Sequence, residues 1–218
     1  TDIVYDGSSA AFNSRGEAIA LLKSFEEDFQ TVDVDGNETP KKIPEQNKTY
    51  NVYRAIKLGL GDFFVKNGFK TACLGLSGGI DSAVVLSMAA ETLGPENIRV
   101  LLMPSQFSSD HSVEDARELA ENLGVEYQIV PINETFAALT ATLGPVFGEL
   151  PFNVAEENMQ ARIRGMMMMA ISNKFGNVLL ATSNKSEIAV GYGTLYGDTV
   201  GALSIIGDLY KSEVYDLA

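Results

Sequence analysis

Four short apolar runs punctuate the chain: TACLGL (71–76), IRVLLM (98–103), VEYQIV (125–130) and NVLLAT (177–182). Each is short enough to be a strand and apolar enough to be buried on both faces, which predicts a parallel sheet. Between them the period lengthens. Residues 82–93 read as an almost wholly apolar helix closed by Gly94–Pro95. In SVEDARELAENLG, residues Val113, Ala116, Leu119, Ala120 and Leu123 share one helical face, and Gly124 ends it. A third helix opens at Asn153, with Glu156 three residues on in a capping-box pattern. Met159, Ile163, Met166, Met167, Ala170 and Ile171 form its expected buried stripe, so the run of methionines reads as core or subunit-contact filler. Strand–helix alternation of this kind predicts an α/β fold. Its form is an open, doubly wound parallel sheet with right-handed crossovers and ligands at the carboxyl ends of the strands.

The pattern before residue 49 is different. Residues 1–35 read as a β meander: AAF (10–12), a turn at Ser14–Arg15–Gly16, AIALL, and then FEEDFQTVDVD, where Val32 and Val34 alternate with Asp33 and Asp35. Residues 36–48, with two prolines and mixed charge, suit a linker, which leaves 49–218 as the main domain. Strands with no helix to cover them make a poor independent domain, so 1–35 read as the tail of another one. The chain opens at Thr1 and closes on YKSEVYDLA, where Lys211, Val214, Leu217 and Ala218 fall at helical spacing with no stop signal. The expectation is a piece of a longer protein.

Composition narrows the chemistry. Sixteen basic against 29 acidic residues give a net charge of −13, which argues against a nucleic-acid partner. Cys73 is the single cysteine and His111 the single histidine, which excludes a disulfide framework, a cysteine zinc site and a multi-histidine metal site. No apolar run approaches the length of a membrane span. The expectation is a soluble, cytoplasmic protein with no membrane partner.

The informative segment is LGLSGGIDSAVVLSMAA, where a strand runs into Ser77–Gly78–Gly79–Ile80–Asp81–Ser82 and a helix follows at once. Adjacent glycines let the backbone turn sharply and present bare amides, and the helix end adds positive potential for phosphate oxygens. Ser77 and Ser82 bring hydroxyls, and Asp81 brings a hard carboxylate suited to Mg²⁺. A tight strand–helix turn capped by aspartate and serine accounts for the same residues. The loop is neither a Walker sequence nor GxGxxG. It resembles the pyrophosphate-binding SGGxDS loop of the N-type ATP pyrophosphatases, which cleave ATP to AMP and pyrophosphate while adenylating an oxygen of a second substrate.

Two later stretches narrow that family. In ENMQARIRGMMMMAI, Asn158 and Arg162 share a face, while Arg164 lies on the opposite flank, so the two arginines do not converge on one small target. In ATSNKSEIAVGYGTLYGDTVGALSIIGDLYK, a strand ends at Thr182 and Glu187 starts a short helix. A loop spaced by Gly191, Gly193, Gly197 and Gly201 then runs through Tyr192 and Tyr196. Such a loop could close over a ligand.

SGGIDS, ENxQARxR, TSNKSE and YGD in this order resemble the ammonia-using module of the NAD synthetases over about residues 50–218. By that resemblance Ser77, Gly78, Gly79, Ile80, Asp81, Ser82, Thr182 and Lys211 are ATP-binding positions. Asp81 and Glu187 are catalytic and hold Mg²⁺, and Asn158, Arg162 and Glu187 fall in deamido-NAD-contacting segments. Glu187 is thus open to either metal or dinucleotide. Leu195 stands where the ammonia-only enzymes have lysine, which leaves dinucleotide contacts in that loop open. Residues 1–35 resemble the final strands of the nitrilase-like glutaminase domain fused ahead of the module in glutamine-dependent enzymes. Cys73, inside an apolar strand, reads as an inert core thiol and not as a glutaminase nucleophile. His111 is given no chemistry. The resemblance implies ATP, deamido-NAD and ammonia or glutamine as substrates, an adenylated dinucleotide intermediate, and a homo-oligomer, a dimer or higher. Another ATP pyrophosphatase, tRNA-modifying or GMP synthetase-like, and a non-catalytic adenine-nucleotide-binding module remain alternatives.

Overall fold

The computed structural model describes residues 3–33 and 38–218. They fall into two units, Thr1–Asp62 and Phe63–Ala218. The first holds a hairpin, β1 (Ala10–Phe12) antiparallel to β2 (Ala18–Leu21), extended by one bridge between Gly7 and Ser24. Asn13 builds its turn: Oδ1 accepts from the amides of Arg15 and Glu17, each at 3.0 Å. The third strand expected from residue 25 does not form over 25–33. Phe25 takes a φ of +57°, which breaks an extended run, and the Asp28 carboxylate curls back to accept from the Lys23 amide at 3.0 Å. Val34 and Asp35 lie outside the described residues. Helix α1 (Lys48–Asn67) follows.

The second unit runs β3 (Ala72–Gly75), α2 (Ile80–Leu93), β4 (Ile98–Leu102), α3 (Asp110–Leu123), β5 (Glu126–Ile129), α4 (Asn133–Phe147), α5 (Val154–Phe175), β6 (Val178–Ala181), α6 (Lys185–Val190), β7 (Leu203–Ser204) and α7 (Lys211–Leu217). The five strands are parallel and stand in the order β5-β4-β3-β6-β7. Right-handed crossovers put α2 and α3 on one face and α4 and α5 on the other. On the second face Cys73, Leu101 and Leu179 pack with Ile132 and with Ile163 and Met168 of α5. The chain leaves β3 toward β4 and returns to pair β6 on its other side. The direction of winding therefore reverses between β3 and β6, and a crevice opens outside their carboxyl ends.

The doubly wound α/β architecture is the expected one, with local corrections. Helix α2 starts at Ile80 and not at Ser82, because extended Gly79 serves as its N-cap, so Asp81 belongs to the first turn. Strand β5 is an exposed edge and not a buried strand: Glu126, Gln128 and Ile129 face solvent. Helix α4 was not marked by the sequence pattern, since Thr140, Thr142 and Gly144–Pro145 dilute its helical signal, although Phe136 and Leu139 reach the core. The two-residue β7 was hidden in a glycine-rich stretch.

The methionine stripe is also corrected. Met159 and Ile163 are buried, but Met166 is 60% exposed and Ala170 faces solvent, while Met168 is buried. Helix α5 is gripped by the sheet on one side and by loop 194–198 on another, so its buried positions do not follow one stripe. The tightest approach is at Gly165, where an added Cβ would lie 2.9 Å from the Tyr196 carbonyl oxygen. His111 lies exposed in the first turn of α3. Cys73 is fully buried, and desolvation pushes its thiol up to about 11, against the opposing charge of Arg99. It is no nucleophile near neutral pH.

Candidate active site

The crevice between β3 and β6 is a cavity of about 460 Å³. Its floor is the turn from β3 into α2. Gly78 takes a φ of +79°, and Ser82, only 3% exposed, braces the turn from within. Its Oγ accepts from the Ser77 amide at 3.2 Å and donates to the Gly79 carbonyl at 3.0 Å. The Ser82 hydrogen is thereby spent on the loop's own fold, although the side chain borders the cavity. Ser77 Oγ accepts from the Gly79 amide at 3.2 Å. The first-turn amides of α2 have no carbonyl four residues back, which leaves them for an anion. The turn lies directly on the start of α3: a Cβ on Gly78 would meet the Ser112 carbonyl oxygen at 2.2 Å.

The opposite wall begins where β6 ends. Thr182 borders the cavity, and Asn184 caps α6 with a reciprocal box: Oδ1 accepts from the Glu187 amide at 3.0 Å, and Glu187 Oε2 accepts from the Asn184 amide at 3.1 Å. Short-range cap chemistry thus seats Glu187 in the first turn of α6, and its side chain borders the cavity. Asp81 faces it. Its Oδ1 accepts from Asn184 Nδ2 at 3.1 Å, and its Oδ2 is ion-paired with Lys211 Nζ. Lys211 stands at the first position of α7, held also through its amide by Ser186 Oγ at 2.9 Å.

The expected dinucleotide residues occupy another place. Asn158 Oδ1 accepts from Thr194 Oγ1 at 2.7 Å, and Arg162 Nε donates to the Leu195 carbonyl at 3.2 Å. Both grip loop 194–198, and neither lines the cavity. Arg164 does line it. Its Nε donates to the Met103 carbonyl at 3.0 Å, and burial lowers its pKa from the usual value while the charge of Asp198 raises it. The arginines diverge, as their helical positions predict, but the cation in the cavity is the one that carried no expectation. Sequence reasoning also missed Asp198, Ser108 and Ser112 as cavity residues. The YGD motif and the serine-rich start of α3 were the signals available for them.

Three carboxylates, Asp81, Glu187 and Asp198, line the cavity against one lining cation, Arg164, with Lys211 committed to Asp81. A polyphosphate entering beside the α2 turn needs more positive charge than that. The donor set suits a hard cation that takes one or two carboxylates and fills its remaining positions with phosphate oxygens and water, which is how Mg²⁺ is held. Among the described residues no three His, Cys, Asp or Glu side chains cluster into a protein-only metal cage, and a cation bound in that shared way requires none.

Comparison with known proteins gives a consistent picture. A family model described as NAD synthase matches residues 52–218. The glutamine-dependent NAD(+) synthetase of Synechocystis is 48% identical over 99% of this chain and 40% of its own length. The chain thus spans about two fifths of the curated relatives it matches. The solved glutamine-dependent NAD+ synthetase of Acinetobacter baumannii, in complex with ADP, superposes with a TM-score of 0.93 at 40% identity, covering 100% of this chain and 42% of that one. The NH3-dependent NAD synthetase of Campylobacter jejuni gives a TM-score of 0.72 at 35% identity, over 79% of this chain and 72% of its own.

Proposed function

This chain belongs to the NAD synthase family, and from that premise we propose that its cavity carries the ATP-dependent amidation of deamido-NAD to NAD. The observation that carries the reading is the placement of Asp81 and Glu187 on facing walls of one cavity floored by the SGGIDS turn.

In the first half-reaction a nicotinate carboxylate oxygen of deamido-NAD attacks the α-phosphorus of ATP. The bond to the bridging oxygen breaks, and pyrophosphate leaves with that electron pair. In the second, ammonia adds to the activated carbonyl carbon, AMP departs with the acyl oxygen, and one proton is lost. The first-turn amides of α2 and the Ser77 hydroxyl receive the phosphates, and Thr182 meets ATP from the end of β6. Arg164, anchored through Nε, keeps its remaining guanidinium donors for developing phosphate charge. Lys211 turns from Asp81 toward the phosphates once its partner is engaged elsewhere. Asp81 and Glu187 would hold Mg²⁺, which when bound screens the polyphosphate and makes the α-phosphorus more electrophilic. Asn158 and Arg162 hold loop 194–198 in place for the dinucleotide, so they belong to recognition of deamido-NAD more than of ATP.

The longer relatives are named glutamine-dependent, and residues 1–35 resemble the end of a glutaminase domain. We therefore assign glutamine as the nitrogen source of the whole protein, with the thiol that releases ammonia outside these 218 residues, since Cys73 is inert. The same reading gives a cytoplasmic enzyme acting as a homo-oligomer, a dimer or higher. No helix among the described residues is long and apolar enough to cross a membrane.

The test is a product balance with ATP, Mg²⁺, deamido-NAD and ammonium. One NAD, one AMP and one pyrophosphate are expected per ATP consumed. ADP and orthophosphate instead, or ATP cleavage indifferent to deamido-NAD, would overturn the proposal.

A further inference from the structure

Asn184 is fully buried at 0% exposure, and its side chain does more than cap a helix. An N-cap needs one oxygen acceptor, and Ser or Asp supplies it as well as Asn. Asn184 spends Oδ1 in that way on the Glu187 amide. Its Nδ2 instead donates to Asp81 Oδ1 at 3.1 Å, across 103 residues of sequence. Among the usual capping side chains only Asn joins an acceptor and an NH₂ donor in one planar group. A capping Asp would set a second buried carboxylate against Asp81, and a capping Ser would be too short to keep the bond. The amide is therefore a requirement of Asp81 and not of α6.

We infer that Asn184 is a positioning residue that ties the carboxylates of Asp81 and Glu187 into one unit and leaves Asp81 Oδ2 as the oxygen offered to a divalent cation. The inference rests on the reading of Asp81 and Glu187 as the cation-holding pair. The geometry divides the Asp81 carboxylate between two partners of different kinds. Oδ1 is fixed by a buried, neutral donor that has no other place to go. Oδ2 is paired with Lys211, whose side chain is 38% exposed and long enough to swing away. Exchange of Lys211 for a cation then changes the partner of Oδ2 without rotating the carboxylate. Asn184 reaches Glu187 through both its side chain and its backbone, so the spacing of the two carboxylates is set by one residue.

The test is Mn²⁺ binding, followed by electron paramagnetic resonance, to the intact protein with a non-hydrolysable ATP analogue. Wild type, Asn184→Ser, Asn184→Ala and Asp81→Ala are compared, with melting temperatures measured alongside. Serine keeps the cap and loses the donor, so a residue that only caps would be rescued by it. We expect Asn184→Ser to bind Mn²⁺ about 10- to 100-fold more weakly, like Asn184→Ala, while it melts closer to wild type than Asn184→Ala does. Wild-type Mn²⁺ affinity in Asn184→Ser would overturn the inference, whatever the alanine variant does. Wild-type affinity in Asp81→Ala would instead remove the cation-holding pair itself, and the inference with it.

Discussion

Asp81→Ala is expected to lower NAD formation on the order of 10³-fold, because it removes a carboxylate proposed to hold the divalent cation, and a cation that screens charge at a phosphoryl transfer supplies several kcal/mol of transition-state stabilisation. The side chain has no slack to share that role. It is mostly buried, paired with Lys211, and bonded to Asn184, the residue that also seats Glu187. Truncation leaves Asn184 Nδ2 without its partner, at about 1–3 kcal/mol of stability. Asp81→Asn separates the two losses. It keeps the volume and an acceptor for Asn184 but removes the charge, so it should melt near wild type and turn over nearly as poorly as Asp81→Ala. Turnover within tenfold of wild type in Asp81→Asn would contradict the role given to the carboxylate.

Gly78→Ala is the second large effect, and it arises from backbone geometry. A Cβ at a φ of +79° costs roughly 1–2 kcal/mol in itself. Here it would also stand 2.2 Å from the Ser112 carbonyl oxygen and 2.8 Å from the carbonyl carbon, both main-chain atoms at the start of α3. Neither can move aside as a flexible side chain would, so the turn must shift relative to α3. The first-turn amides and Asp81 shift with it, and a displacement near 1 Å costs about 10²-fold in turnover. ATP affinity and turnover should fall together. Gly16→Ala is a control: Gly16 also has a positive φ, of +76°, but an added Cβ there meets nothing within 4 Å. It should lose some stability and little activity. A Gly78→Ala enzyme with normal ATP affinity would show that the contact with α3 does not set the loop.

What was legible in the sequence was local. Strands β3, β4 and β6, the glycine that ends α3, the box of Asn153 and Glu156 that opens α5, and the start of α6 near Glu187 all depend on residues within a few positions of one another. Their physics acts before any tertiary contact forms. The same short range explains the error at α2, where capping by Gly79 gives no side-chain signal, and at the methionine run, where two packing partners compete for one helix. The features that turn the motifs into a site act over long separations. Asp81 meets Asn184 across 103 residues and Lys211 across 130. Gly78 meets Ser112 only because the sheet brings α2 and α3 side by side. Helical spacing alone showed that Arg162 and Arg164 diverge, but not which of them enters the cavity. That was decided by Met103 at the end of β4, whose carbonyl anchors Arg164.

On the proposed function, the cavity activates a carboxylate by attaching AMP to it. Deamido-NAD carrying heavy oxygen in both nicotinate carboxylate positions tests this directly, with ATP, Mg²⁺ and ammonium as the other reactants. If the carboxylate attacks the α-phosphorus, one labelled oxygen must end in the phosphate of AMP and the other must stay in the amide of NAD. Mass spectrometry of the products should show AMP heavier by one such oxygen and pyrophosphate unlabelled. Unlabelled AMP, or label in pyrophosphate or orthophosphate, would contradict the claim.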